Sequence, residues 1–217
     1  MATQAKENFT QQDIETGLTF VSQWIQANAP SWGVSLPLTA LAVGGVLSVL
    51  HFHNRSATKD VDFYHADSSA VSLLTEAAEA ASNTFKWRNS EWLNADVSHF
   101  IDTVLLNSGY SVYTDALHQN VVIWEAPEVL TLVAAPWRWQ LFNKLTRLMS
   151  FAPRREDLID AVSLLHMICV QERRALTKEE IFGWGYSRVV LSVEVLAIVQ
   201  KGYRDRYGET KIAIDGL

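Results

Sequence analysis

The chain has 217 residues, of which 48% are hydrophobic and 19% charged, and a net charge of −6. It is long enough for one substantial domain, or a domain with a helical extension, and too apolar to be disordered. The acidic balance argues against strong binding to duplex nucleic acid, which needs an extended basic surface. A single cysteine, Cys169, leaves no internal disulfide and fits a reducing compartment. The polar N-terminus lacks the apolar centre of a signal peptide, and no apolar run approaches the ~20 residues that span a bilayer. A cytoplasmic protein with no membrane partner is the expectation.

The pattern predicts a first helix over 11–27, capped by Thr10, with Ile14, Leu18, Val21 and Ile25 at helical spacing and Pro30 and Gly33 breaking it. Leu38 to Val43 is a buried strand meeting a turn at Gly44-Gly45. A short helix over 46–52, a strand over 59–64 and an alanine-rich helix over 68–82 follow. Residues 90–106 read as a helix with Trp92, Val97, Phe100, Ile101 and Val104 inward. Strands over 120–125 and 129–134 flank Pro127 and form a hairpin. After Pro136 the pattern is helical: 137–150, 156–171, a short helix with a Thr177/Glu180 capping box, and 187–200. The predicted organisation is an α+β core over 1–135, a mixed sheet flanked by helices, followed by a helical region over 136–217 sharing one core with it.

The chemistry concentrates in Gly44-Gly45 and Lys59-Asp60-Val61-Asp62-Phe63. Residues i and i+2 of a strand share a face, so Asp60 and Asp62 project together. Two carboxylates so close repel, and a divalent cation is the usual means of neutralising them; Mg²⁺ accepts one or two carboxylates plus phosphate oxygens. Glycines at the preceding turn let backbone approach phosphate closely. A metal-dependent nucleotide site is the inference.

The run LAVGG…ATKDVDFY resembles the core signature of the nucleotidyltransferase fold, the DNA polymerase β-like superfamily: a Gly-Gly or Gly-Ser turn, a helix, then an Asp-x-Asp strand. The stretch APWRWQLFNKLTRLMSFAPRREDLIDAVSLL is similar to the helical part of small toxin-type nucleotidyltransferase proteins, with Lys144 followed by Asp157, Asp160 and Ala161. WLNADVSHFIDTVL and HQNVVIW resemble uncharacterised fungal proteins of this fold. The likeness covers roughly residues 36–166. It implies Mg²⁺- or Mn²⁺-dependent transfer of a nucleoside monophosphate from a nucleoside triphosphate to a hydroxyl of RNA, protein or a small molecule. Asp60 and Asp62 would hold metal, Gly44 and Gly45 would cradle phosphate, and Lys144 and Arg55 would assist. Active members carry a third carboxylate on a later strand. Glu125, at the end of Asn120–Glu125, is the candidate here and Asp115 the substitute, though neither stands in mid-strand. The alternative is a degenerate module that binds nucleotide or protein without transfer. A toxin component of a conflict system is a third reading, by analogy alone.

Blander readings stand beside these. Asp157 and Asp160 share a helix face and suit pairing with Arg147, Arg154 or Arg155 better than catalysis. His51, His53 and His65 lack a familiar zinc spacing. Trp137 and Trp139 are the tryptophans best placed to stack on bases, with core packing as the default. Cys169 lies in an apolar pattern and reads as a buried thiol.

Overall fold

The computed structural model describes residues 7–208, 210–211 and 213–217. The first six residues of the polar N-terminal segment lie outside that set. In chain order the elements are β1 (Phe9–Thr10), α1 (Gln11–Trp32), β2 (Leu38–Val43), α2 (Gly45–Leu50), β3 (Ala57–Thr58), β4 (Val61–Tyr64), α3 (Ser68–Phe85), β5 (Leu93–Asn94), α4 (Ser98–Ser108), α5 (Val112–Gln119), β6 (Val122–Ala126), β7 (Leu130–Ala134), α6 (Trp137–Leu148), α7 (Arg155–Glu172), β8 (Leu176–Thr177), α8 (Lys178–Phe182), α9 (Val193–Tyr207) and β9 (Ile214–Asp215). The protein is an α+β chain, and no helix among the described residues is long and apolar enough to cross a membrane. It divides into two compact units. One comprises residues through Thr103 with Ser111–Ala135, the other Val104–Tyr110 with Pro136–Leu217.

In the first unit a five-stranded mixed sheet runs in the order β5-β4-β2-β7-β6. β2 is its centre, parallel to β7 and antiparallel to β4. The apolar runs Leu38–Val43 and Leu130–Ala134 form these strands because both are largely buried. β6 and β7 make the expected hairpin. α1 begins at a Thr10/Asp13 capping box and buries Ile14, Leu18, Val21 and Ile25. It runs further than expected: Pro30 sits in its last turns without ending it, and Gly33 terminates it.

Two further expectations are corrected. Residues 90–106 are not one helix. Asn89 and Asn94 accept backbone N–H groups from Glu91 and Asp96, turning the chain twice, and the Val61 N–H donates to the Trp92 carbonyl. This draws Leu93–Asn94 into the sheet edge as β5 and delays the helix to Ser98. Trp92 is buried as expected, while Phe100 is exposed. The last helix starts at Val193, because Ser192 caps it and residues 187–192 form a loop. The second unit is mainly helical, with α7 packed on α6 and α9, the Thr177/Glu180 capping box on α8 and a short parallel β8–β9 pair.

Gly17 on α1 shows how tight the first unit's core is. A Cβ there would lie 2.6 Å from Trp92 Cη2 and 2.8 Å from Trp87 Cη2. The Trp92 ring is held by its indole N–H, which donates to the Ala78 carbonyl. Gly17→Ala, a change that in an exposed helix stabilises by about 1 kcal/mol, is expected here to destabilise by about 1–3 kcal/mol through overpacking. Urea unfolding of the two proteins measures the sign.

Candidate functional site

β2 ends at Val43, directly opposite Asp62 of the antiparallel β4. Gly44 follows with φ 77° and ψ −133°, a conformation that side chains exclude, and starts α2. The turn therefore lies against the Asp62 carboxylate: a Cβ on Gly44 would be 3.2 Å from Oδ2. Gly45 has a different reason to be glycine. A Cβ there would be 2.3 Å from Thr58 Oγ1 and 3.5 Å from Arg55 Nη1. Thr58, buried on β3, and Arg55 already fill the space beside it. Arg55 comes back to the start of α2 because the Asn54 and Arg55 N–H groups both donate to the Ser48 carbonyl, folding the chain along the helix.

Asp60 stands immediately before β4 rather than inside the strand. The alternation continues through it: Val61 and Phe63 are fully buried, while Asp60 and Asp62 are half-buried. The alternation puts Asp60 on the same face as Asp62, and it is Asp62 that lies against the Gly44 turn. Hard oxygen donors of this type suit Mg²⁺ or Mn²⁺ rather than a softer metal. Among the described residues no three His, Cys, Asp or Glu side chains form a metal-ligand group. A Mg²⁺ ion shared with a nucleotide does not require a third.

Glu125 does not join this group. β6 is the far edge strand, three strand spacings or roughly 14 Å from β4. Its register places Glu125 beside Thr131, which is level with Thr39 near the start of β2, whereas Gly44 lies beyond the end of β2. Its substitute Asp115 is exposed on α5. On the other side of Asp62 from Val43, the residue in register is Asn94 of β5. Its side chain is engaged locally, accepting from the Asp96 N–H and donating to the Glu91 carbonyl. The sequence hides this residue because a two-residue strand carries no periodicity.

Lys144, expected either to contact the triphosphate or balance the acidic cluster, or else to be an exposed lysine, belongs to the second unit and is a buried ion-pair partner. It is 6% exposed. Its Nζ lies 2.9 Å from Asp157 Oδ1 and 2.7 Å from Asp160 Oδ2. Arg154 Nε donates to Asp157 Oδ2 at 3.1 Å, and Arg147 Nη1 is 3.9 Å from Oδ1. Burial alone would raise the Asp157 carboxyl pKa, but hydrogen bonds from Lys144 and Arg154 outweigh it and hold it below the ordinary value. Lys144 pins α6 to α7. Trp137 and Trp139, 3% and 2% exposed, are core residues and not stacking platforms. Cys169 is half-buried, and burial pushes its thiol up to about 11, away from nucleophilic use.

With this geometry in hand, the chain matches over residues 7–210 a family described as a domain of unknown function, DUF7582. It belongs to that family. No curated protein and no solved structure matches it. The DUF7582 match takes in every candidate site residue, from Gly44 through Lys144.

Removing the Lys144 ammonium takes the buried cation away from two buried carboxylates, so Lys144→Ala is expected to destabilise by about 3–5 kcal/mol. The lowered folded-state pKa of Asp157 has a defined pH consequence. Its contribution is fully present above the ordinary carboxyl value of 3.8 and is lost as pH falls through the lower folded value. Asp157→Asn should therefore be less stable than the native protein at neutral pH, with the gap closing below about pH 4. Urea unfolding across that range checks both.

Proposed function

We propose that the first unit is a nucleotide-binding module of nucleotidyltransferase-like architecture, one that holds a nucleoside triphosphate with Mg²⁺ and does not complete nucleotidyl transfer. The observation that carries the reading is the meeting of the Gly44 turn with the Asp62 carboxylate at the end of the central strand. Asp60 and Asp62 would hold the cation, and the cation would neutralise the phosphate charge. The backbone at Gly44 would approach the phosphates, and Arg55, beside Gly45, brings a second positive charge to the same turn.

Three features favour binding over transfer. Asn94, not a carboxylate, is in register with Asp62. Glu125 sits on the opposite edge strand. The space beside Gly45 is taken by Thr58 and Arg55. General-base activation of an acceptor hydroxyl needs a group within hydrogen-bond reach of it, and neither Asn94 nor Glu125 supplies one there.

Calorimetry with non-hydrolysable ATP, GTP, CTP and UTP analogues tests this. Binding should require Mg²⁺ and fall at least about tenfold in the Asp60→Asn/Asp62→Asn protein, a loss of ~1.4 kcal/mol or more. With labelled triphosphates and Mn²⁺ or Mg²⁺, no self-labelling or RNA labelling is expected. Absence of binding to all four analogues would sink the module reading, and labelling lost in the double variant would establish a transferase instead.

A further inference from the structure

The second unit carries an exposed apolar surface that the nucleotide reading does not use. Phe151, between α6 and α7, is 107% exposed, and Val190, in the loop before α9, is 86% exposed. The two loops are joined at their bases: the Ser192 N–H lies 3.4 Å from Met149 Sδ, two residues from each of these side chains. Val189 and Val193 are also exposed beside Val190. Folded proteins seldom leave side chains of this size projecting together without a use.

The charge around them has one sign in excess. Arg147 and Arg154 lie over the buried Asp157, with side chains 54% and 62% exposed. Arg155 and Arg188 are exposed, and their side chains make no hydrogen bond or ion pair among the described residues. The exposed carboxylates next to these residues in sequence are Glu156 and Glu194, and Glu194 is held by the Ser192 hydroxyl and its own backbone N–H at the start of α9. The exposed arginines outnumber these glutamates four to two, and the buried Lys144, Asp157 and Asp160 beneath them sum to −1, so the rim stays basic in a chain of net charge −6.

We propose that this surface docks the protein on an anionic lipid bilayer, with Phe151 and Val190 entering the headgroup region and the arginines meeting lipid phosphate and carboxylate. Two features select lipid over the other anionic surfaces. The apolar members are mostly aliphatic valines, which cannot stack on bases as single-stranded nucleic acid binding requires. The side chains project from two loop tips, so they suit insertion between headgroups better than a flat protein face. This departs from the expectation of no membrane partner: the protein would lie on the bilayer, and the absence of a spanning helix among the described residues tests only crossing.

The test is co-sedimentation of the full chain with phosphatidylcholine vesicles, with and without phosphatidylserine. Binding should require phosphatidylserine and weaken with salt. Arg155→Glu/Arg188→Glu should weaken it by roughly 25-fold or more, since each arginine at such a surface contributes about fivefold. Phe151→Asp/Val190→Asp should abolish it. All four positions are exposed, so circular dichroism should show both variants folded. Equal sedimentation with neutral vesicles, or none with either, overturns the proposal. So does binding to a single-stranded oligonucleotide in place of vesicles, or a dimer in sedimentation velocity that the Phe151→Asp/Val190→Asp change dissolves.

Discussion

The first unit is organised around a backbone conformation that only glycine adopts. At Gly44 the chain leaves the central strand with φ 77° and ψ −133° and enters a helix at once. A side chain at Gly44 would be strained and pressed on Asp62; one at Gly45 would collide with Thr58. The two glycines therefore set how closely β2, α2, β3 and β4 meet. Because Val43 is in register with Asp62, the same turn fixes where a carboxylate stands relative to the half-buried Gly44 backbone. A nucleotide site, if the proposal holds, is a consequence of that packing and not an addition to it.

Electrostatics are handled differently in the second unit. There Asp157 and Asp160 are buried, and the buried Lys144 pairs with both while Arg154 reaches Asp157 from the surface. Such a triad adds little net stability over apolar residues of the same size, yet removing one member is severe. What it fixes is the docking of α6 on α7. The carboxylates beside Gly44 are only half-buried, and the proposed cation would reach them from the solvent side. Burial thus separates a structural carboxylate pair from a candidate ligand pair where residue type cannot.

Much of this could be read from the sequence because its signals were local. The apolar run of β2, the glycine turn, the alternation around Asp62 and the Thr177 capping box each rest on a few neighbouring residues. The misreadings share a non-local cause. Trp92 to Val104 has helical spacing, but the sheet edge at Val61 captures its first part, and no sequence window contains both partners. Glu125 lies on a strand of the expected kind, yet strand order, set by the parallel β2–β7 pairing, carries it to the far edge. Lys144 stands on a helix of mixed character, and only the α6–α7 packing shows that its charge is buried.

The account depends most on Gly44, Gly45 and Asp62 forming one cation–nucleotide site. Titrating isotope-labelled protein with Mn²⁺ and a non-hydrolysable nucleotide, and following paramagnetic broadening of the backbone amides, tests this directly. The account predicts that the amides of Gly44, Gly45 and residues 60–62 broaden first, and that Glu125 and the Asp157–Asp160 turn of α7 do not. Broadening centred on Glu125 or on α7, with Gly44 unaffected, would contradict it.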